Sequence, residues 1–346
     1  MFEDLGVAVV GVGYWGPNLI RNFSRADGWD LQWVCDLDEQ RAMRAIGKRS
    51  TVPVTTSLDA VLDDPLVSAV AIATPAHTHA EIAIRALDAG KHVLIEKPLA
   101  VSLAEGEKMV SVAEDRGLVL MCDHTYCYTP AVRQIREAVR SGAIGELQYV
   151  DSVRINLGLV QSDVDVLWDL APHDLSILDF ILPEGTRPSG VAAHGADPIG
   201  AGQTCIGYLT LPLTNGGIAH AHVNWLSPTK IRTTIIGGSD QMIVWDDLHP
   251  TQRLSIYDKG VSLRDVEGAD QRRDNLVSYR IGNMVAPALP EQEALQGVVA
   301  EFRSSIIEGR RPLTDGQAGL RVLRILEAAS KSLRSGGSTI PLGQLR

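Results

Sequence analysis

The sequence predicts an α/β protein of two domains: a doubly wound parallel sheet over residues 1–123, then an α+β domain with an open, mainly antiparallel sheet over 124–346. Three observations lead there. The first 123 residues alternate short apolar runs with helical patterns, whereas beyond about residue 145 β-rich runs follow one another with little helix between them. The length of 346 residues also exceeds one ordinary core, since a domain holds roughly 150.

In the first part Val7–Val10 is a continuous β-rich run, followed by glycines and a helical pattern to about Arg25. Leu31–Cys35, a helical stretch from Asp38, and Ala69–Ala73 come next. Then follow a helical pattern over His79–Ala89, His92–Ile95, a helix over Leu103–Arg116, and Val119–Cys122. Strands apolar on both faces and separated by helices indicate a parallel sheet covered on both sides. In the second part Glu146–Leu157 reads as a long strand and Trp168–Leu182 as a helix. Thr204–Leu211, Gly217–Trp225, Lys230–Gly237, Met242–Asp246 and Arg253–Tyr257 read as strands, with turn signals at Asn215-Gly216 and at Gly238–Asp240. Those signals predict hairpins. Asp265–Pro290 has no clear period, and helices over Glu291–Glu308 and Gly316–Ser335 close the chain. These last helices are expected to pack back on the first domain.

The 32 Lys and Arg against 42 Asp and Glu give a net charge of −10, which excludes a general polyanion binder. No nucleic-acid partner is expected. The four cysteines, Cys35, Cys122, Cys127 and Cys205, form no C-x-x-C pair and predict buried thiols, with neither a disulfide framework nor a metal site. The opening MFEDLGVAVVGVG lacks a basic region, and no stretch reaches the ~18 consecutive apolar residues of a membrane span. A soluble cytoplasmic protein without a membrane partner is the expectation.

Gly11-Val12-Gly13-Tyr14-Trp15-Gly16 matches G-x-G-x-x-G between a buried strand and a helix, and Asp36 ends the next strand 20 residues past Gly16. Gly11 permits the tight turn, Gly13 leaves room for a pyrophosphate, and Gly16 lets helix and strand approach. Asp36 would accept hydrogen bonds from the adenosine ribose hydroxyls and repel a 2′-phosphate. Because Leu37 and Asp38 follow it rather than an arginine, NAD is favoured over NADP. Packing glycines in an ordinary βαβ unit are the plainer alternative, which this context disfavours.

Glu96-Lys97-Pro98 sits at the carboxyl end of the fifth strand, where ligands of open α/β sheets lie. A lysine there could polarise a substrate oxygen, and a surface lysine beside a turn is the bland alternative. Asp169 and His173 are four apart, on one face of a helix whose proper start is expected near Pro172. The histidine could take a hydroxyl proton with the carboxylate orienting it; a helix-end acid and a simply bonded histidine are the alternative.

The order G-V-G-Y-W-G, A-T-P-A-H-T-H, H-V-L-I-E-K-P-L-A, D-L-A-P-H-D, with the late E-F-R-S-S-I-I-E-G-R-R-P-L-T-D-G-Q-A-G-L, resembles the Gfo/Idh/MocA oxidoreductase family over nearly the whole chain. The resemblance implies a Rossmann domain and a second domain whose open sheet forms a homodimer or homotetramer interface. It implies Lys97, Asp169 and His173 as the catalytic set, with His173 as proton acceptor, Lys97 steadying the alkoxide, and Asp169 orienting the pair or binding a hydroxyl. Thr74, Pro75, His79 and Glu96 would line the cofactor with Gly11, Gly13, Tyr14, Trp15, Gly16, Asp36 and Lys97. Departing from many relatives, Leu170-Ala171-Pro172 stands between the Asp and the His. His124, Tyr126, Arg154, Asn156, Asp163, Asp165 and Trp168 are candidates to line a substrate cleft.

The substrate expected on this resemblance is a small sugar or amino sugar, oxidised at a secondary ring hydroxyl, C3, to a ketone ready for transamination in amino-sugar or aminoglycoside-type biosynthesis. Asp163 and Asp165 would attract an ammonium group. A nucleotide sugar, its diphosphate met by Arg154 and Arg232, is the runner-up, with a cyclitol beside it. A non-catalytic NAD sensor or scaffold, and transient oxidation without net redox change, are the rival readings.

Overall fold

The computed structural model describes residues 4–47, 50–158, 160–161, 164–263 and 277–343. The chain divides into two compact units, Met1–Thr129 with Gln292–Arg324, and Pro130–Glu291 with Ile325–Arg346.

The first unit opens with β1 (Leu5–Val10), α1 (Gly16–Phe23), β2 (Trp29–Cys35), α2 (Glu39–Ile46), β3 (Val54–Thr55), α3 (Leu58–Leu62) and β4 (Ala69–Ile72). It continues with α4 (His79–Asp88), β5 (His92–Glu96), α5 (Leu103–Arg116) and β6 (Leu120–Asp123). The sheet order is β3-β2-β1-β4-β5-β6, and every pairing is parallel. The order reverses between β1 and β4, which opens a crevice at their carboxyl ends. Val7, Ala8 and Val9 of β1 and all of β4 are buried because helices cover both faces, hence the uninterrupted apolar runs. Local signals set the helix starts: Asp38 caps α2 by accepting from the Arg41 N–H, and Ser102 caps α5 by accepting from Glu105.

In the second unit α6 (Pro130–Arg140) precedes β7 (Leu147–Leu157) and α7 (Val166–Ile181). Strands β8 (Gly190–Ala196), β9 (Ile206–Pro212), β10 (Ile218–Asn224), β11 (Leu226–Gly238), β12 (Met242–Asp246), β13 (Leu254–Leu263) and β14 (Val277–Val285) follow. Helix α8 (Ala294–Glu308) belongs to the first unit, where the Trp29 ring stacks on Phe302 at 5.5 Å. Helix α9 (Gly316–Arg334) is divided between the units, and β15 (Ile340–Pro341) adds an edge to the second. The second sheet runs β14-β13-β12-β11-β7-β10-β9-β8-β15, antiparallel except where β10 lies parallel to β7. Both expected hairpins form, β9–β10 and β11–β12.

Several elements stand where the sequence predicts none: β3, α3, α6, β8, β15 and β14. Strand β14 falls inside the stretch read as structureless. Among the described residues it pairs only with β13, and Tyr279, Ile281, Met284 and Val285 remain exposed on it, so no buried face marks its period. Helix α7 also starts earlier than expected. Asp165 accepts from the Leu167 and Trp168 N–H groups, nucleating the helix upstream of Pro172, which is carried inside it. The missing proline N–H then removes one bond to the Trp168 carbonyl rather than blocking the start. All four cysteines are free and buried. Among the described residues no helix is long and apolar enough to cross a membrane.

Candidate active site

The glycine turn follows directly from β1. Gly11 has φ +92, and a Cβ there would lie 2.7 Å from the backbone of Ala73 after β4. At Gly16 a Cβ would sit 2.2 Å from the Gly11 carbonyl oxygen, so close approach excludes any side chain. A Cβ on Gly13 would meet nothing within 4 Å. Among the described residues, the N–H groups of Gly13, Tyr14 and Trp15 make no hydrogen bond within the protein. Three uncommitted amides at the head of a helix form a cradle for an anionic pyrophosphate, so this turn fits a dinucleotide. Tyr14 is exposed, and the Trp15 indole donates to Asp123 Oδ2 at 3.4 Å.

Asp36 comes directly after β2, one residue beyond the expected end of the strand, and is only 7% exposed. Its Oδ2 accepts from the Val12 N–H at 2.6 Å, which ties it to the glycine turn. Its Oδ1 accepts from the Asp38 N–H at 2.8 Å and from Arg41 Nη2 at 2.7 Å. Burial alone would raise its pKa, but these hydrogen bonds and the guanidinium outweigh it and hold the carboxyl below its usual range. An arginine therefore does reach this carboxylate. It comes five residues later, from the first turn of α2, a position hidden until the Asp38 cap turns the chain.

His79 does not offer itself to a cofactor. It is 1% exposed; Nδ1 lies 2.9 Å from the Pro98 carbonyl and Nε2 lies 2.9 Å from the Thr74 carbonyl. Both ring nitrogens face backbone carbonyls, and the neutral ring donates its one N–H to one of them, so the ring fills the space between the Thr74–Pro75 loop and the Glu96-Lys97-Pro98 turn. Desolvation lowers its pKa, although the carbonyl contacts oppose this. Thr74 Oγ1 accepts from the Thr78 hydroxyl at 2.7 Å, and the Thr78 side chain caps no helix. The Lys97–Pro98 peptide bond is cis, and Lys97 is half-buried.

Beyond Lys97, the unit gathers further ionisable groups. Glu96 and Asp123 are register partners at the ends of β5 and β6, and Glu96 Oε2 accepts from the Lys97 N–H at 3.3 Å. Desolvation, then the neighbouring Asp123, raise the Glu96 pKa well above normal. His124 is 2% exposed; burial first, then Lys97 and Arg321, push its pKa down to about 3. It is a neutral imidazole, and among the described residues neither of its buried ring nitrogens has a hydrogen-bond partner. Tyr126 is half-buried in the turn that follows. Asp123 was legible as a strand-end acid, yet composition alone does not single it out.

In the second unit Asp169 and His173 lie one turn apart on α7, as the i, i+4 spacing requires, and both are half-buried. Asp169 Oδ2 accepts from the Trp225 indole at 3.0 Å, an anchor the sequence does not reveal. Other expected cleft residues are committed elsewhere. Arg154 is 4% exposed and grips Asp174 through Nε at 2.8 Å and Nη2 at 3.1 Å. The Ser152 hydroxyl also donates to Asp174 at 2.7 Å. Asp165 is the α7 cap, and the Trp168 indole donates to Ser330 Oγ at 2.9 Å. Asn156 is half-buried on β7, while Asp163 lies outside the described residues. Arg232 faces Asp247 at 3.4 Å.

Two models of one family match this chain: an oxidoreductase family with an NAD-binding Rossmann fold over residues 5–124, and the GFO/IDH/MocA C-terminal domain over 132–244. The chain is 29% identical to UDP-N-acetylglucosamine 3-dehydrogenase of Acidithiobacillus ferrooxidans, covering 91% of this chain and 93% of that one. It is 32% identical to 2,7-anhydro-N-acetylneuraminate hydratase of Escherichia coli, over 95% of each. The structure of GenD2 from gentamicin A biosynthesis, in complex with NAD, superposes with a TM-score of 0.81 at 25% identity, covering 99% of this chain and 98% of that one. The chain belongs to the Gfo/Idh/MocA family of NAD-binding, Rossmann-fold oxidoreductases.

Proposed function

We propose that this enzyme oxidises a secondary ring hydroxyl, at C3, of a sugar or amino sugar to a ketone, upstream of a transamination. His173 takes the hydroxyl proton, Lys97 steadies the developing alkoxide, and Asp169, held by Trp225, orients the histidine or a neighbouring hydroxyl. When bound, NAD supplies the hydride acceptor. The first unit holds the cofactor through the amides of Gly13, Tyr14 and Trp15 and through Asp36; the second presents the substrate face. The observation that carries this reading is the Asp169–His173 pair on one face of α7, in a chain matched over nine-tenths of its length by a sugar 3-dehydrogenase. The gentamicin relative supports an amino-sugar setting.

A nucleotide sugar remains the runner-up, supported by the name of the Acidithiobacillus relative. Of its two proposed diphosphate ligands, Arg154 is buried on Asp174 and Arg232 is already paired with Asp247 at 3.4 Å, which weakens this reading. The experiment is an absorbance assay of NADH formation against free, amino and nucleotide-linked sugars, with His173→Ala beside the native protein. Turnover should fall by orders of magnitude in the variant while NAD affinity is retained. Equal turnover would end the acid/base assignment. The hydratase relative favours a second reading, transient oxidation with no net redox change. Product formation without NADH accumulation would identify it.

Self-association through the second sheet belongs to the same proposal. Tyr208, Ile218, Tyr279, Ile281, Met284 and Val285 expose apolar side chains along its strands, and this supports the reading.

A further inference from the structure

We propose that Glu96 and Asp123 form a carboxyl pair that shares one proton in the cofactor-free protein and releases it to solvent when the oxidised, cationic form of the cofactor binds. The proposal rests on NAD binding at the glycine turn and assigns the pair a charge-matching role. Glu96 and Asp123 end adjacent parallel strands as direct register partners, so their side chains leave the sheet on the same side. Asp123 is 1% exposed, and its carboxylate collects two donors: the Thr125 hydroxyl on Oδ1 at 2.7 Å and the Trp15 indole on Oδ2 at 3.4 Å. Glu96 has a backbone donor on Oε2, while among the described residues no donor reaches its buried Oε1.

Two neighbouring carboxylates, Asp123 buried and Glu96 half-buried with its Oε1 enclosed, do not both stay ionised. Burial raises both carboxyls, but the Thr125 and Trp15 donors hold Asp123 back while the Asp123 charge lifts Glu96 further, so Asp123 is the anion and Glu96 the acid that donates to it. The other groups facing the pair are few. Lys97 opposes the effect, and Arg321 of α9 adds positive charge at His124, which is neutral. The Cys122 thiol and the Tyr128 phenol are both raised and uncharged. Glu96 is therefore the group whose proton a new positive charge would displace.

Strands β4 to β6 form the second mononucleotide half of such a sheet, and the Trp15 bond links Asp123 to the turn that holds the pyrophosphate. A cationic ring in that half favours two carboxylates over one. The Glu96 O–H bond breaks, its electron pair stays on the carboxylate, and the proton leaves to solvent. A neutral, reduced ring exerts no such pull, so the pair keeps its proton.

Isothermal titration near pH 7, in two buffers of different ionisation enthalpy, reads this directly. The ligands are NAD⁺, NADH and ADP-ribose, which lacks the ring. With native protein, NAD⁺ should release on the order of one proton per site and the other two ligands none. NAD⁺ affinity should also rise up to about tenfold per pH unit across the window in which the free protein holds the proton, while NADH affinity stays flat. In Glu96→Gln the release should vanish while NAD⁺ still binds. Equal release with NAD⁺ and NADH, no release with NAD⁺, or full release in Glu96→Gln would overturn the proposal. Should that variant not fold, the three-ligand comparison on native protein decides alone. Failure of all three ligands to bind would instead remove the cofactor assignment, and this proposal with it.

Discussion

Replacing Asp36 by alanine tests how the adenosine end of the cofactor is recognised. A carboxylate offers about four acceptor positions. In Asp36 three are filled, by the Val12 and Asp38 N–H groups and by Arg41, which leaves one for a ribose hydroxyl. A hydrogen bond to a charged group contributes about 1.5–3 kcal/mol, so losing it should weaken NAD binding roughly 10- to 150-fold. The variant also unpairs the Arg41 guanidinium, half-exposed at the site where a 2′-phosphate would lie. NADP should therefore lose little affinity or gain it, and the ratio of the two dissociation constants should move towards NADP. Arg41→Met separates the two effects: it keeps the Val12 and Asp38 bonds, and because the guanidinium end of the pair is half-exposed and screened by solvent, NAD affinity should stay within about threefold. Isothermal titration of both dinucleotides against the three proteins provides the numbers. Because the Asp36 pKa is lowered, its carboxylate stays ionised down through the ordinary acid range near 3.9, so this contact contributes no pH dependence between pH 5 and 9. NAD binding to Asp36→Ala within threefold of native would refute the reasoning.

Breaking the buried Arg154–Asp174 pair by Arg154→Met should cost about 3–5 kcal/mol in urea unfolding, because Asp174 is left charged and buried; adding Asp174→Leu should restore part of it, and equal losses in both would contradict the role given to the pair. His124 folds as a neutral group with its pKa depressed from 6.5 to about 3, so its stability contribution is complete above pH 6.5 and is lost as pH falls through that window. The full span corresponds to about 4–5 kcal/mol. His124→Phe should flatten the urea midpoint between pH 6.5 and 4, and an unchanged slope would count against a buried neutral ring. Ile281→Glu, on the exposed edge strand β14, should lower the mass measured by light scattering if the second sheet associates; a mass equal to native would exclude that strand from the interface.

Much of the fold was readable because it is local. The glycine turn and the β4 and β5 runs each announce themselves within a few residues, since backbone geometry and double-sided burial leave a short-range imprint. Helix α5 coincides with its expected span, and both predicted hairpins form. Strand β14 failed the same test, because its apolar residues face outward on an edge. Helix α7 begins upstream of Pro172 because Asp165, which the sequence marks only as a candidate cleft residue, supplies two hydrogen bonds where nucleation needs them.

By itself, then, the sequence determined where a dinucleotide turn lies, which acid stands at the end of β2, and that Asp169 and His173 share a helical face. Spacing along the chain suffices for each of these, because a helix or strand converts it directly into direction. Only the tertiary structure decided what those groups touch. It turned Arg41 back onto Asp36, set His79 between the carbonyls of two loops, withdrew Arg154 into a buried pair with Asp174, and set Glu96 beside Asp123. The physical reason is that charge and hydrogen-bond partners are chosen by proximity across strands and loops. That proximity depends on sheet order, which no interval between residues encodes.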